Sequence, residues 1–470
     1  MRGATSGSSI PIRRPVDARV RKARKSGEAP PGSLYSIRIR EIWGFLTRQS
    51  LSFWFLNGYL FFEYVRPQSI YREMDVLPWS WSFIVLALVT FLFERSRLRP
   101  LYAADQMLML FSGMILVSSF SAVWPTESYN QLSLFFGWVL IYFLITNVVN
   151  SEQRFLIFML GFLLYSTKMS QHGVQTYAGR GGGFASWGAT GGPGWFRNSG
   201  EFGIQMCIFF PLSVYFFNSL RPYWSKWKLL IFLFMPLSAL ISIVASSSRG
   251  AVVGLAPVIL WMLLKSTKRI QGLTLAAILA VGVWFILPAE QKERFSSMGE
   301  DDTSQSRLVY WTRGMEMMRE HPVTGIGYKN WLRYSRVNYE PLYGKGGNPI
   351  VQLPHNIFVE AGAELGYTGL FIFFGLIGMT LYTNYRTRKI AKRLRDRGVF
   401  GAAMAHGLDA AMIGYLASGM FVTVLYYPFF WINYAMTVAL HHSVVREAAR
   451  VTVPRPMRTA TPVQLGYGRA

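Results

Sequence analysis

The stretch VASSSRGAVVG, residues 244–254, places an arginine between two long apolar runs, at 228–245 and 250–265. A transmembrane helix needs about 20 predominantly apolar residues, and comparable runs recur along the chain from Leu51 to Leu440. Of the 470 residues, 51% are hydrophobic and only 15% are charged. These features predict an all-α polytopic membrane protein.

The apolar runs give twelve candidate spans, and the charges between them give an orientation. The spans are 51–65, 79–94, 105–123, 131–149, 154–168, 201–219, 228–245, 250–265, 270–288, 356–384, 402–426 and 428–443. Basic connections such as ERSRLRP (94–100) and RTRKIAKRLRDRG (386–398) are typical of cytoplasmic loops. The connection WPTESYN (124–130), predicted on the opposite side, carries no Lys or Arg. We therefore expect both termini on the cytoplasmic side.

The same pattern predicts three regions. Residues 1–50 are basic and contain no apolar segment, so we expect a disordered cytoplasmic tail. Residues 51–445 form the membrane domain, and residues 446–470 form a second basic tail. The membrane domain includes two long outer loops, 169–200 and 289–355, of which the second is large and partly helical. Most of the net charge of +24 lies between apolar runs, which indicates membrane topology and not binding of nucleic acid.

Arg249 is the first residue that could carry chemistry. A charge at the bilayer centre is costly and needs a reason. One reason is structural, because an arginine at a helix end can extend its charged group to the membrane surface. The other is functional, because the three serines and the glycine around it leave room for a ligand, and a guanidinium binds phosphate oxygens well. Its predicted place on the outer side favours the second interpretation.

The segment 306–331 of the second outer loop begins as a helix that ends before Pro322. Its predicted apolar stripe consists of Leu308, Trp311, Met315 and Met318. Arg307 and Arg319 flank that stripe, whereas Arg313 points to the opposite, solvated face. Arg307 and Arg319 are therefore candidates for ligand contact.

A second candidate group begins the tenth span, in VQLPHNIFVEAGAELGYTGL (351–370). His355 and Asn356 lie in its first turn, where a histidine held in one tautomer can accept a proton. Glu360 and Glu364 share a helix face because they are four residues apart. They could bind substrate or could form hydrogen bonds between helices, and we weigh the two equally.

The glycine-rich run GRGGGFASWGATGGPGWFRNSG (179–200) could present backbone N–H groups to an anion, or it could be a flexible loop. Arg180, Arg197 and Asn198 lie in it and are further candidates for substrate binding. The sequence shows no Walker or dinucleotide motif and no metal-ligand spacing. We therefore expect neither a metal nor a cofactor.

These motifs together resemble the O-antigen ligase and polysaccharide polymerase superfamily, membrane glycosyltransferases that use polyprenyl-pyrophosphate-linked glycans. The resemblance covers roughly residues 50 to 445. It rests on YVRPQ (64–68), SSSRG (246–250), an R-x-x-x-W pattern followed by HPVTGIGYKNW within 307–331, and PHNIFVEAGAELG (354–366). Gly314 stands where the family usually has alanine.

The resemblance implies that Arg249 and Arg307 hold the pyrophosphate of an undecaprenyl-linked donor and that His355 acts at the acceptor hydroxyl, with inversion at the sugar. It also implies a bacterial inner (cytoplasmic) membrane and a periplasmic active site. The acceptor would be a glycan, a glycolipid such as lipid A-core, or a protein. A ligase is favoured over a polymerase because one loop carries both the Arg and the His motif. Other interpretations are a transporter of lipid-linked glycan and a non-catalytic scaffold.

Overall fold

Helices form nearly all of the regular structure in the computed structural model, which describes residues 32–94, 98–181, 188–266, 302–343 and 347–452, and also 269, 270, 273, 274 and 292. The α-helices are α1 (Ile39–Leu46), α2 (Leu51–Tyr64), α3 (Pro67–Ile70), α4 (Trp79–Phe93), α5 (Ala103–Phe120), α6 (Pro125–Val148), α7 (Glu152–Gly179), α8 (Ser199–Leu220), α9 (Lys226–Ala245), α10 (Arg249–Lys265), α11 (Asp302–Glu320), α12 (Trp331–Asn338), α13 (Ile357–Arg393), α14 (Val399–Gly419) and α15 (Pro428–Thr452). Short 3-10 helices cover Ser33–Ser36, Arg72–Met74, Arg221–Tyr223 and Arg395–Gly398, and strands β1 (Leu342–Tyr343) and β2 (Pro349–Ile350) pair antiparallel.

The prediction of an all-α membrane protein is confirmed. Within the described residues, seven helices are long and apolar enough to cross a membrane, namely those that contain α4, α5, α6, α8, α9, α13 and α14. All the predicted spans except 270–288 coincide with helices, and most of 270–288 lies outside the described residues. The count of twelve spans therefore stays a prediction.

The structure differs from the predictions for three segments. Helix α7 continues to Gly179, into the predicted loop 169–200, because a helix can continue after its apolar pattern has ended. The predicted span 402–426 stops at Gly419, and residues 420–427 are not helical. The described part of the expected disordered tail is ordered, since Leu34 and Tyr35 are buried and the Tyr35 carbonyl accepts a 2.8 Å hydrogen bond from Trp224 Nε1.

Helices α8 and α14 lie at the centre of the bundle and pack against each other. Helix α10 packs beside α14 with small residues at the contact, and a Cβ at Gly254 would lie 1.8 Å from Ser418 Oγ. Helix α4, by contrast, exposes large apolar side chains such as Val85, Val89 and Leu92. Such a face suits lipid, whereas the small residues let the central helix backbones approach closely.

Helix α13 is broken at Gly366, whose φ of 70° lies in the left-handed region. The break frees backbone groups, and residues 322–327 of the preceding loop pair with them. The N–H of Ile326 donates to Ala363 O (2.9 Å), that of Gly327 donates to Glu364 O (3.2 Å), and Tyr367 N–H donates to Pro322 O (2.8 Å). The predicted tenth span is therefore two helical segments joined at a point that the outer loop fills.

Replacing Gly366 with alanine should destabilise the protein. A Cβ there would lie 2.6 Å from the Val323 carbonyl group, and a left-handed conformation costs a residue other than glycine about 1–3 kcal/mol. We expect the unfolding temperature of the purified protein in detergent to fall by several degrees. Gly378→Ala is the matched control in the same helix, because a Cβ there meets nothing within 4 Å. Equal unfolding temperatures for the two variants would contradict this account.

Candidate active site

Arg249 is the first residue of α10, directly after a short turn of serines. Ser248 caps the helix, with its hydroxyl accepting a 3.3 Å hydrogen bond from Ala251 N–H. Ser247 adopts a left-handed conformation, with φ of 50°. The half-buried Arg249 side chain thus lies at the positive end of a helix dipole. The guanidinium charge and the helix dipole both favour an anion at this place.

The face that α11 buries differs from the predicted stripe. Leu308 and Met315 are 49% and 43% exposed. The buried positions are Tyr310, Gly314, Met317 and Met318. Glycine adds no hydrophobicity to a sequence pattern, but here it is the point of closest approach, since a Cβ at Gly314 would lie 2.3 Å from Val359 Cγ1 of α13.

Because the buried face differs from the predicted one, the environments of the α11 arginines also differ from the prediction. Arg307 is half-buried, as a ligand contact requires, whereas Arg319 is exposed. Arg313, predicted to be solvated, instead donates a 2.7 Å hydrogen bond to Glu340 O and lies over the ring of Tyr339, 4.9 Å from its centroid. Of the two arginines proposed to flank the stripe, only Arg307 lies toward the packed side of its helix.

His355 precedes α13 in a left-handed conformation, with φ of 50°. Its N–H donates to Thr423 Oγ1 at 2.8 Å, and the carbonyl before it, that of Pro354, accepts a 2.9 Å bond from Trp311 Nε1. Burial and the positive charge of Arg307 lower the pKa of His355 to about 4. The imidazole is therefore neutral near pH 7 and can accept a proton.

Asn356 has a structural task that accounts for its position. It is the N-cap of α13, and its side-chain oxygen accepts hydrogen bonds from the N–H groups of Phe358 (2.9 Å) and Val359 (3.2 Å). It is also almost fully buried. These bonds occupy the oxygen, so a role in substrate binding stays a prediction.

Glu360 and Glu364 are buried in α13 next to Lys329 and Tyr426. Lys329 Nζ lies 3.9 Å from Glu360 Oε1 and 4.3 Å above the centre of the Tyr426 ring. The Tyr426 hydroxyl donates a 3.0 Å bond to Glu364. Each carboxylate also has one buried oxygen without a hydrogen bond. The two carboxylates thus share one compensating cation, contributed by the loop that fills the break in α13.

The described part of the glycine-rich loop is held by two other motifs. Ala189 N–H donates to Ala245 O at 2.8 Å, at the start of the serine turn. On the other side, Arg66 of YVRPQ donates to Pro193 O at 3.1 Å, and Trp195 donates to Glu63. The described stretch 188–200 is therefore held at Ala189, Pro193 and Trp195, while residues 182–187 lie outside the described residues.

The polar candidates in and near this loop are exposed. Arg180 follows the end of α7, and Arg197 and Asn198 precede α8. Asn198 forms a capping box with Glu201 at the start of α8. Capping accounts for the position of Asn198, and a contact of these three residues with substrate stays a prediction.

Residues 420–427, between α14 and α15, connect the motifs. A Cβ on Gly250, beside Arg249, would lie 2.9 Å from Phe421 Cβ. Thr423 accepts the hydrogen bond from His355, and Tyr426 reaches Glu364. One short segment thus contacts both Gly250, next to Arg249, and the backbone of His355, and Arg307 is close enough to His355 to act on its charge.

Sequence reasoning missed Lys329 and this segment. Lys329 lies in the motif HPVTGIGYKNW, and the feature that could have indicated it is a lysine that closely follows two glycines on the predicted outer side. Residues 420–427 gave no signal, because VTVLYY is as apolar as the helices that flank it.

An open groove of about 550 Å³ lies in the loop that precedes α13. It is lined by Arg336, Tyr339, Pro341, Pro349, Ile350, Val351 and Gln352. Gln352, in the wall of the groove, is three residues before His355 in the chain. Among the residues that the structure describes, no three or more His, Cys, Asp or Glu side chains are grouped to hold a metal ion.

The helices and this polar cluster define an integral membrane protein with a basic site at one end of its bundle. Residues 231–374, which contain Arg249, Arg307 and His355, match the family model described as O-antigen ligase. This match supports the resemblance to the O-antigen ligase superfamily that the motifs predicted. Residues 42–220 match a family of unknown function (DUF5935). A comparison with curated proteins gave no match.

Arg307→Gln should raise the pKa of His355 from about 4, because it removes a nearby positive charge that disfavours the imidazolium. Burial, the larger cause, remains, so we expect only a partial return toward the usual value. An NMR titration of histidine-labelled protein, assigned with His355→Gln, measures the change. Arg333→Gln, which removes an exposed charge paired with Glu127, should leave the midpoint unchanged. An unaltered midpoint in Arg307→Gln would refute the electrostatic contact.

Proposed function

We propose that the protein transfers a glycan from an undecaprenyl-pyrophosphate donor to an acceptor hydroxyl. The observation that carries the proposal is the arrangement of Arg249, Arg307 and His355 around residues 420–427, within the part of the chain that matches O-antigen ligase. Two guanidinium groups suit a pyrophosphate, and a neutral imidazole suits a hydroxyl proton.

In the proposed reaction, the acceptor oxygen attacks the anomeric carbon of the donor sugar. The new carbon–oxygen bond forms as the bond to the pyrophosphate breaks, from the opposite face, so the configuration inverts. Arg249 and Arg307 stabilise the negative charge that develops on the leaving pyrophosphate. His355 accepts the hydroxyl proton, and its lowered pKa favours release of that proton to water. No metal or cofactor takes part in this scheme.

The groove beside His355 is a suitable place for the acceptor. It combines an aromatic ring (Tyr339), a guanidinium (Arg336) and a side-chain amide (Gln352), groups that can pack against and hydrogen-bond to sugars. The donor lipid would lie among the helices, with membrane lipid around the exposed apolar faces. The charge pattern supports an inner-membrane protein with cytoplasmic termini and a periplasmic site.

A ligase and a polymerase would both use this chemistry. We favour the ligase, because one outer loop contributes Arg307, Lys329, the groove and His355. Deleting the gene and separating surface glycans on a gel distinguishes the two. A ligase mutant accumulates long lipid-linked polymer, whereas a polymerase mutant leaves single repeat units.

One observation favours a second function, transport of the lipid-linked glycan. Transporters often bind substrate at broken helices, and α13 is broken next to two buried carboxylates. The break is filled by residues 322–327, however, which leaves less room for a passage there. Movement of labelled lipid across liposomes by purified protein, without a new glycosidic bond, would support transport instead.

Arg249→Ala, Arg307→Ala and His355→Ala should each lower transfer by at least about 100-fold, the cost typical of losing one group that stabilises developing charge. The assay uses purified protein in proteoliposomes, a polyprenyl-pyrophosphate glycan and a panel of acceptors, with products identified by mass. Arg333→Ala is the matched control on the outer loop and should keep wild-type activity. If all three variants transfer glycan normally while correctly folded, the proposed site is wrong.

A further inference from the structure

The peptide group that joins Pro354 to His355 is hydrogen-bonded at both of its polar atoms. The carbonyl oxygen of Pro354 accepts a bond from Trp311 Nε1 at 2.9 Å, and the N–H of His355 donates to Thr423 Oγ1 at 2.8 Å. A peptide group is planar, so bonds at both ends fix the orientation of the whole plane.

This orientation matters because His355 has a φ of 50°. Residues other than glycine adopt that left-handed conformation only rarely, since Cβ is crowded there. The surrounding structure must therefore hold the backbone in place. With φ held at 50°, the two hydrogen bonds set the direction of the Cα–Cβ bond, from which the imidazole extends.

The two partners connect His355 to the two arginines. Trp311 lies four residues after Arg307 in α11, on the same side of that helix. Thr423 lies two residues after Phe421, which packs against Gly250 beside Arg249. One hydrogen bond of the Pro354–His355 peptide group thus leads to α11, which carries Arg307. The other leads to residues 420–427, which contact Gly250 next to Arg249.

We propose that Trp311 and Thr423 are positioning residues that fix His355 relative to both Arg307 and Arg249. They act through the peptide group and need not touch substrate. The proposal rests on the proposed function, because it concerns the placing of the proton acceptor against the pyrophosphate site. Such placing is sensitive, and an error of about 1 Å can lower a rate about 100-fold.

Two substitutions remove one hydrogen bond each at nearly constant shape. Thr423→Val deletes the hydroxyl, and Trp311→Phe deletes the indole N–H. Both should lower kcat about 10- to 100-fold while changing the donor KM less than about threefold, because the arginines remain. Thr423→Ser keeps the hydroxyl and should retain kcat within about threefold of wild type.

Matched controls separate positioning from a general loss of packing. Thr380→Val removes a buried hydroxyl that donates only within α13, to Leu376 O. Trp224→Phe removes an indole N–H bond to Tyr35 O, remote from His355. Both controls should keep kcat. Full activity in Thr423→Val and Trp311→Phe, or an equal loss in Thr423→Ser and Thr423→Val, would overturn the proposal.

Hydrogen exchange provides a test that does not depend on turnover. The His355 amide, followed by mass spectrometry of peptides that cover residues 352–358, should exchange faster in Thr423→Val than in Thr423→Ser or wild type. Unchanged exchange rejects the positioning role even if no transfer is detected. If exchange rises as expected but His355→Ala transfers glycan normally, the proposed function fails while the hydrogen bond stands.

Discussion

The break in α13 at Gly366 is the constraint on which the site depends. A helix interrupted in an apolar setting leaves N–H and C=O groups that must be paired, because unpaired ones cost several kcal/mol each. Residues 322–327 of the loop that precedes α13 pair with them through three backbone hydrogen bonds. The loop is thereby fixed to α13, and Lys329 is brought to the two buried carboxylates of that helix. The same attachment places α11, which carries Arg307, beside the start of α13, where His355 lies.

The net charge differs between the two sides of this attachment, one with Arg249 and Arg307 and the other with Lys329. Toward Arg249 and Arg307, positive charge and a helix N-terminus favour an anion. Toward Lys329, the cation faces the buried carboxyl groups of Glu360 and Glu364, which offset its positive charge. His355 lies on the arginine side, and its neutral imidazole follows from burial and from Arg307. In the proposed reaction, the group that accepts a proton and the groups that bind phosphate thus lie on the same side of the site.

Much of the fold and part of the site could be predicted from the chain. Apolar run lengths located most of the described long helices, and the charges between them gave a predicted side for Arg249. Arg307 was selected because it flanks a predicted apolar stripe, and that stripe is only partly the buried face. The buried face passes through Gly314, which a hydrophobic pattern does not detect. Asn356 and Asn198 were selected as ligands, yet both cap helices. Their residue type and position suit either role, and only the partner of the side chain tells them apart.

The sequence by itself determined the all-α membrane architecture and the family resemblance, and it predicted which arginines and histidine could carry chemistry, because hydrophobicity and charge are local properties that each segment has alone. Tertiary structure decided how these residues meet. Residues 420–427 look like the end of a span, but they leave the helix and contact Gly250 at the start of α10, the His355 backbone and the α13 carboxylate of Glu364. The break at Gly366 and the pairing of its backbone groups were likewise invisible in the chain. Both depend on which groups come together across hundreds of residues, and no local pattern encodes that.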